Sequence, residues 1–209
     1  MSRKENPPVF RIQAARLRSF LFALAFTACL APGLRAQQIV VTLDPAQTKV
    51  DFIVGSTLHT VHGSFKLKSG QIRFDPATGK ASGEIVVDAT SGSSENDGRD
   101  KKMHLVVLES RKFPEITFTP TLVKGTIALQ SAYKMDVSGV FHLHGQDHDL
   151  TVTVSVEPAG SQIQASTKFS IPYAKWGLKN PSNFFLKVDD TVDIDIHLTG
   201  QLAAEPSGH

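Results

Sequence analysis

Cysteine is almost missing from this chain: its 209 residues hold one, Cys29. A single thiol forms no internal disulfide, so the fold has to be held by burial. Long apolar runs are missing too. Ser19–Leu30 is well short of the roughly 20 residues a membrane-spanning helix needs. The chain also has no nucleophile-elbow motif and no glycine-rich phosphate loop, which removes the usual signatures of serine hydrolases and nucleotide enzymes. Linkers, repeats and low-complexity tracts are absent, so nothing argues for a second folded domain.

The first 36 residues read as a secretory signal peptide. Arg3, Lys4, Arg11, Arg16 and Arg18 precede the apolar run, and Ala31, Pro32 and Gly33 follow it. Cleavage is expected after Ala36, giving a periplasmic or secreted protein of residues 37–209. The alternative is lipoprotein anchoring at Cys29, because Phe26-Thr27-Ala28-Cys29 loosely resembles a lipobox. Cleavage would take away six of the 22 basic residues and one of the 20 acids, leaving 16 against 19, a net charge of −3. With no clustered positive face, nucleic acid is excluded as a partner.

What the remainder does contain is alternation. Val192, Ile194, Ile196 and Leu198 alternate with Asp193, Asp195, His197 and Thr199. A period of two marks a half-buried antiparallel strand. The pattern recurs at Val50–Val54, Val61–Phe74, Ile85–Ala89, Ile116–Thr119, Thr126–Leu129, Tyr133–Leu143, Leu150–Val156 and Ile163–Ile171. Asp75-Pro76-Ala77-Thr78-Gly79 supplies a hairpin turn. One helix is predicted over Arg99–Ser110, with Asp97 at its N-cap and Phe113-Pro114 ending it. The predicted fold is all-β: an antiparallel barrel of about eight strands with one short helix, closed because open edges invite pairing with other chains. About eight strands leave an interior able to hold one small ligand. Phenylalanine, valine, isoleucine and methionine at the inward positions suit an apolar, flexible molecule.

The order of motifs resembles the YceI-like family. The match runs from Asp44-Pro45 and Val50-x-Phe52, through Gly63-x-Phe65, to Gly70-x-Ile72-x-Phe74-Asp75. It continues with Arg99-Asp100, His104-Leu105, Phe113-Pro114 and Ile116-Thr117-Phe118, then Gly139-x-Phe141-x-Leu143-His144-Gly145 and the strand Leu150–Val156. The resemblance spans residues 39–202. It implies an extended lipocalin-like barrel in an exported, non-enzymatic protein without a cofactor, holding a polyisoprenoid or similar long-chain lipid along the barrel axis. No catalytic residue set comes with it.

The candidate ligand wall follows from shared parity: Phe52, Val54, Phe65, Phe74, Phe118, Met135, Phe141, Phe169 and Ile194. His59 points inward if the strand is already regular there, meeting a polar head group; otherwise it belongs to a preceding turn and bonds backbone. Arg99 either binds an anionic head group or ties a loop to the helix. Trp176, beside Gly177-Leu178 and followed by Phe184-Phe185-Leu186, either plugs the barrel end or lines a portal. A rim of this kind allows transient membrane contact, and a homodimer is a further expected association. The competing reading is a hydrolase-like metal enzyme. His142-x-His144 offers two imidazoles, with His59, His62, His104 or His148 as a third ligand. Parity opposes it, since both should face solvent opposite Phe141 and Leu143. A third reading is a structural module whose barrel is filled by its own side chains.

Overall fold

The computed structural model describes residues 37–206 apart from 129. The predicted signal peptide and Cys29 lie outside the described residues. Nine strands are present among these: β1 (Gln37–Leu43), β2 (Lys49–Val54), β3 (Val61–Phe74), β4 (Ala81–Ser93), β5 (Glu115–Lys124), β6 (Tyr133–Leu143), β7 (Gln146–Ala159), β8 (Gln162–Ile171) and β9 (Val192–Pro206). Every pairing is antiparallel, in the order β1-β3-β2-β9-β8-β7-β6-β5-β4, and β3 with β4 closes the ring.

Nine strands make eight staves. β1 pairs with the far ends of β3 and β9 (Ile39 with Phe74, Val41 with Leu202), while β2 pairs with their near ends (Phe52 with Gly63 and Ile194). The two therefore share one position in the barrel, broken by a turn in which Asp44 Oδ1 accepts the Ala46 amide at 2.8 Å. Full closure leaves no unpaired sheet edge around the ring. Alternation then decides what is buried. On β7, Val152, Val154 and Val156 are buried while Thr151, Thr153 and Glu157 are exposed. The largest core cluster joins Leu43, Leu67, Phe74, Val123, Val137 and Val156 in one half of the barrel.

The turns at the two ends differ. The connections 75–80 and 160–161, with the one between β5 and β6, lie at one end, whereas the two longest excursions, residues 94–114 and 172–191, extend from the other together with residues 55–60.

Three sequence expectations are corrected. The strand expected at Thr126–Leu129 does not form at 126–128, and Leu129 is outside the described residues. Instead β5 runs unbroken past Pro120 to Lys124. A register shift between Pro120 and Leu122 accommodates a residue that cannot donate to the ladder. Gly125, at φ 141°, then ends the strand. The helix is α1 (Asp97–Lys102), capped by Asn96 rather than Asp97, and it continues as a π turn over Met103–Val107. Asn96 Oδ1 accepts the Arg99 amide at 3.0 Å. His144 faces a neighbour, not solvent, because it takes φ 52° and leaves the alternation for the turn. Its Nε2 meets Glu109 Oε2 at 2.8 Å and its ring lies 4.3 Å from that of Phe113.

Candidate functional site

The end carrying the long excursions opens into an apolar cavity of about 400 Å³. Beneath it, toward the short-turn end, lies a second cavity of about 130 Å³. The first is walled by barrel residues of the inward parity, including Phe52, Val54, Phe65 and Ile194, and by residues from the excursions. Phe74, Phe118 and Met135 line the second, and Phe141 and Phe169 belong to both walls. The size falls in the range of small-molecule sites.

Glycines shape the upper wall. A Cβ on Gly63 would stand 2.2 Å from Phe52 Cζ and 2.5 Å from the Ser93 carbonyl oxygen. The missing side chain lets the Phe52 ring approach β3 closely, its centroid 5.3 Å from that of the Phe65 ring. Phe65 in turn occupies the hollow of Gly92, where a Cβ would meet its Cε1 at 2.4 Å.

Polar groups gather at the mouth. Arg99 lines the cavity while its guanidinium is aimed by Ser94, the residue after β4: Nε donates to Ser94 Oγ at 2.7 Å and Nη2 to the Ser94 carbonyl at 2.8 Å. Its Nη1 lies 3.5 Å from His59 Nε2. The structural tie foreseen for Arg99 is thus present, and the same side chain lines the cavity. Asp100 does not pair with Arg99; it accepts from the Ser94 amide at 2.8 Å, from Ser93 Oγ at 3.1 Å and from Ser94 Oγ. Desolvation pushes its carboxyl up, but the bonds from Ser94 and Ser93 outweigh this and hold it below the usual carboxylate range. His59 belongs to the loop before β3, is exposed, and still reaches the cavity rim. Lys102, not foreseen from the sequence, also lines the cavity and donates to the Pro181 carbonyl at 2.6 Å, tying α1 to the 172–191 loop.

Tyr173 and Leu178 enter the cavity from that loop. Tyr173 is 6% exposed and its hydroxyl donates to the Asp189 carbonyl at 2.6 Å. Burial, with the nearby charges of Asp190 and Asp189, pushes its pKa up to about 12. Trp176 is the one proposed site residue outside both walls, neither plug nor portal. Its amide bonds the Pro172 carbonyl in a tight turn, and its ring stacks on His148, 4.0 Å away and 5° from parallel. The turn directs its neighbours inward and the indole along the barrel wall.

The excursions also carry exposed apolar residues. Phe184 is 90% and Phe185 86% exposed, and Leu58, in the loop bonded to Lys187 through Thr57, is 73% exposed. Asn183 Oδ1 accepts the Phe185 and Leu186 amides at 2.9 and 2.8 Å, so the turn itself holds both rings outward. Next to them, Leu186 lines the cavity.

The histidines serve other ends. His142 Nδ1 meets Asp147 Oδ1 at 2.6 Å, and His104 reaches Ser110 Oγ at 2.9 Å and the Gly92 carbonyl at 2.8 Å. Among the described residues no three His, Cys, Asp or Glu side chains come together as a metal cluster.

A closed antiparallel barrel with an apolar interior, reached through a mouth at one end, is the architecture of a small-ligand-binding β-barrel. The YceI-like domain model matches residues 41–200, and the chain belongs to that family. Its fold is similar to that of BcnA from Burkholderia cenocepacia (21% identity, 75% of this chain and 98% of that one, TM-score 0.63). It is also similar to a polyisoprenoid binding domain from Saccharophagus degradans implicated in plant cell wall breakdown (18% identity, 78% and 98%, TM-score 0.62). A third similar structure is the YceI protein of Campylobacter jejuni (21% identity, 70% and 86%, TM-score 0.55). No curated protein matches.

Proposed function

We propose that this chain is an exported, non-catalytic lipid-binding or carrier protein. It holds the tail of a polyisoprenoid or a similar long amphiphile inside the barrel and the polar end at Arg99. One observation carries the reading: an apolar cavity of about 400 Å³ whose mouth presents a guanidinium already aimed by two bonds to Ser94. An apolar tail leaves water on entering such a space, a gain proportional to the area buried. A planar cation at the rim suits a phosphate or carboxylate head. The polyisoprenoid-binding description of the Saccharophagus domain supports the same class of ligand. Phe184 and Phe185, displayed beside the mouth, support transient contact with a membrane from which cargo is taken. The basic and apolar composition of residues 1–36 supports export.

Native mass spectrometry of protein purified from the periplasm, followed by organic extraction, tests the proposal. A stoichiometric long-chain lipid is expected, with Arg99→Gln weakening the binding of a prenyl phosphate roughly ten-fold through loss of a charge-assisted contact. Protein that carries no lipid and takes up no prenyl phosphate in titration refutes the carrier. The mass of the exported form checks cleavage after Ala36.

A further inference from the structure

The two cavities are stacked along one axis and share walls. Val50, Val87, Ile116, Phe141, Phe169 and Ile196 border both, forming a waist between an upper and a lower chamber. The lower one is enclosed by buried residues, among them Val154, Val156, Ile163 and Ala165. An apolar cavity of about 150 Å³ holds one benzene, about 25 Å³ per carbon. On that scale the upper chamber, about 400 Å³, houses about 16 carbons and the lower, about 130 Å³, about five more. A prenyl unit contributes five carbons in its chain and methyl branch.

We infer that the barrel gauges tail length: three prenyl units fill the upper chamber, a fourth passes the waist into the lower one, and further units stay at the rim. This rests on the lipid-binding reading above and adds to it the size of the tail. The physical reason is that carbons leaving water improve affinity, whereas carbons left at the mouth contribute little. The lower chamber has room for one unit and short turns beyond it. Phe141 and Phe169 occupy the position that decides passage, since their rings border both spaces.

The experiment is a titration of the purified chain with geranyl, farnesyl, geranylgeranyl and octaprenyl phosphates, which share one head group and differ in tail. Affinity is expected to rise at least ten-fold with each added prenyl unit through geranylgeranyl, then to change less than about three-fold on going to octaprenyl. Ala165→Leu places three extra carbons in the lower chamber, filling space that already exists rather than overpacking a full core. It should bring the plateau down to farnesyl while leaving geranyl and farnesyl affinities unchanged. The wild-type series decides the matter even if that variant does not fold. A further ten-fold or greater gain from geranylgeranyl to octaprenyl overturns the gauge and leaves lipid binding intact. A plateau already at geranyl or farnesyl in the wild type overturns it as well. Failure of all four probes to bind overturns the lipid-binding reading, and the gauge with it.

Discussion

Replacing Phe141 by aspartate tests the inward face of the barrel where the two chambers meet. Phe141 sits mid-barrel on β6, opposite Phe118 of β5 and His148 of β7, its ring 5.9 Å from that of Trp176. The substitution removes an aromatic contact of about 1 kcal/mol and puts a carboxyl among apolar walls. Desolvation there raises a carboxyl pKa by roughly 2 to 4 units, at 1.36 kcal/mol per unit. The ionised form then costs about 3–5 kcal/mol, a large part of the 5–15 kcal/mol typical of a domain.

The sign of the pH dependence follows from linkage. A carboxyl whose folded pKa is raised holds more protons in the folded state, so stability falls as pH rises from the unfolded value near 4 up to the folded pKa. Melting curves of Phe141→Asp should therefore lie below wild type near pH 4 by the lost ring contacts alone and much further below it at pH 8, and prenyl-phosphate uptake should be lost at pH 8. Thr151→Asp, on the exposed parity of β7, is the control and should stay within about 0.5 kcal/mol of wild type. A Phe141→Asp protein that melts like wild type at both pH values and binds lipid unchanged would refute the inward assignment.

Gly63→Val should cost about 1–3 kcal/mol, because the new side chain meets both the Phe52 ring and the Ser93 carbonyl; an unchanged melting temperature would show that β3 yields freely there. Tyr173 should remain protonated through pH 10 in an absorbance titration. Because its folded pKa is raised to about 12, its contribution to stability should be lost between about pH 10 and 12, and a normal phenol titration would contradict its burial. His144→Ala should cost about 1 kcal/mol by loss of its Glu109 and Phe113 contacts, while His142→Ala, losing only the more exposed Asp147 pair, should fall within about 0.5 kcal/mol. Equal effects in urea unfolding would remove the distinction drawn between the two.

The wall of the site was legible where the chain alternates. Phe52, Phe65, Phe141, Phe169 and Ile194 could be assigned to one face because a period of two, with one side buried, leaves no other register. The residues that the excursions add to that wall could not. Lys102, Tyr173, Leu178 and Leu186 lie in segments without a period, and their direction is set by bonds such as Tyr173 hydroxyl to the Asp189 carbonyl. Trp176 shows the same limit: a large apolar ring suits a barrel opening, yet its turn directs it onto His148. Pro120 looked like the end of a strand, and only its partner strand shows the bulge that carries the ladder past it. The π turn belongs with these: His104 bonds two groups on different segments, Gly92 and Ser110, a pairing no local pattern announces.

The two barrel ends are built for different tasks. At the short-turn end, Asp75 accepts from the Thr78 hydroxyl and the Ala77 amide, both at 2.8 Å, and these bonds hold its carboxyl below the ordinary range. Gly79, at φ 71°, lets that turn press against the Val123 carbonyl, where a Cβ would come within 2.3 Å. Such an end has little freedom to open. At the mouth, the segments are joined by fewer bonds: Lys102 to the Pro181 carbonyl, and an isolated Ser56–Val188 bridge in which the Thr57 amide bonds the Lys187 carbonyl and the Asp189 amide the Gly55 carbonyl. Each is worth about 1 kcal/mol net, so breaking one or two lies within thermal reach, while the ladders of β1–β9 open only with the whole fold. On the proposed reading this asymmetry is what a carrier needs. A bound tail would be sealed from water at one end and released at the other, and release must not cost the barrel its closure.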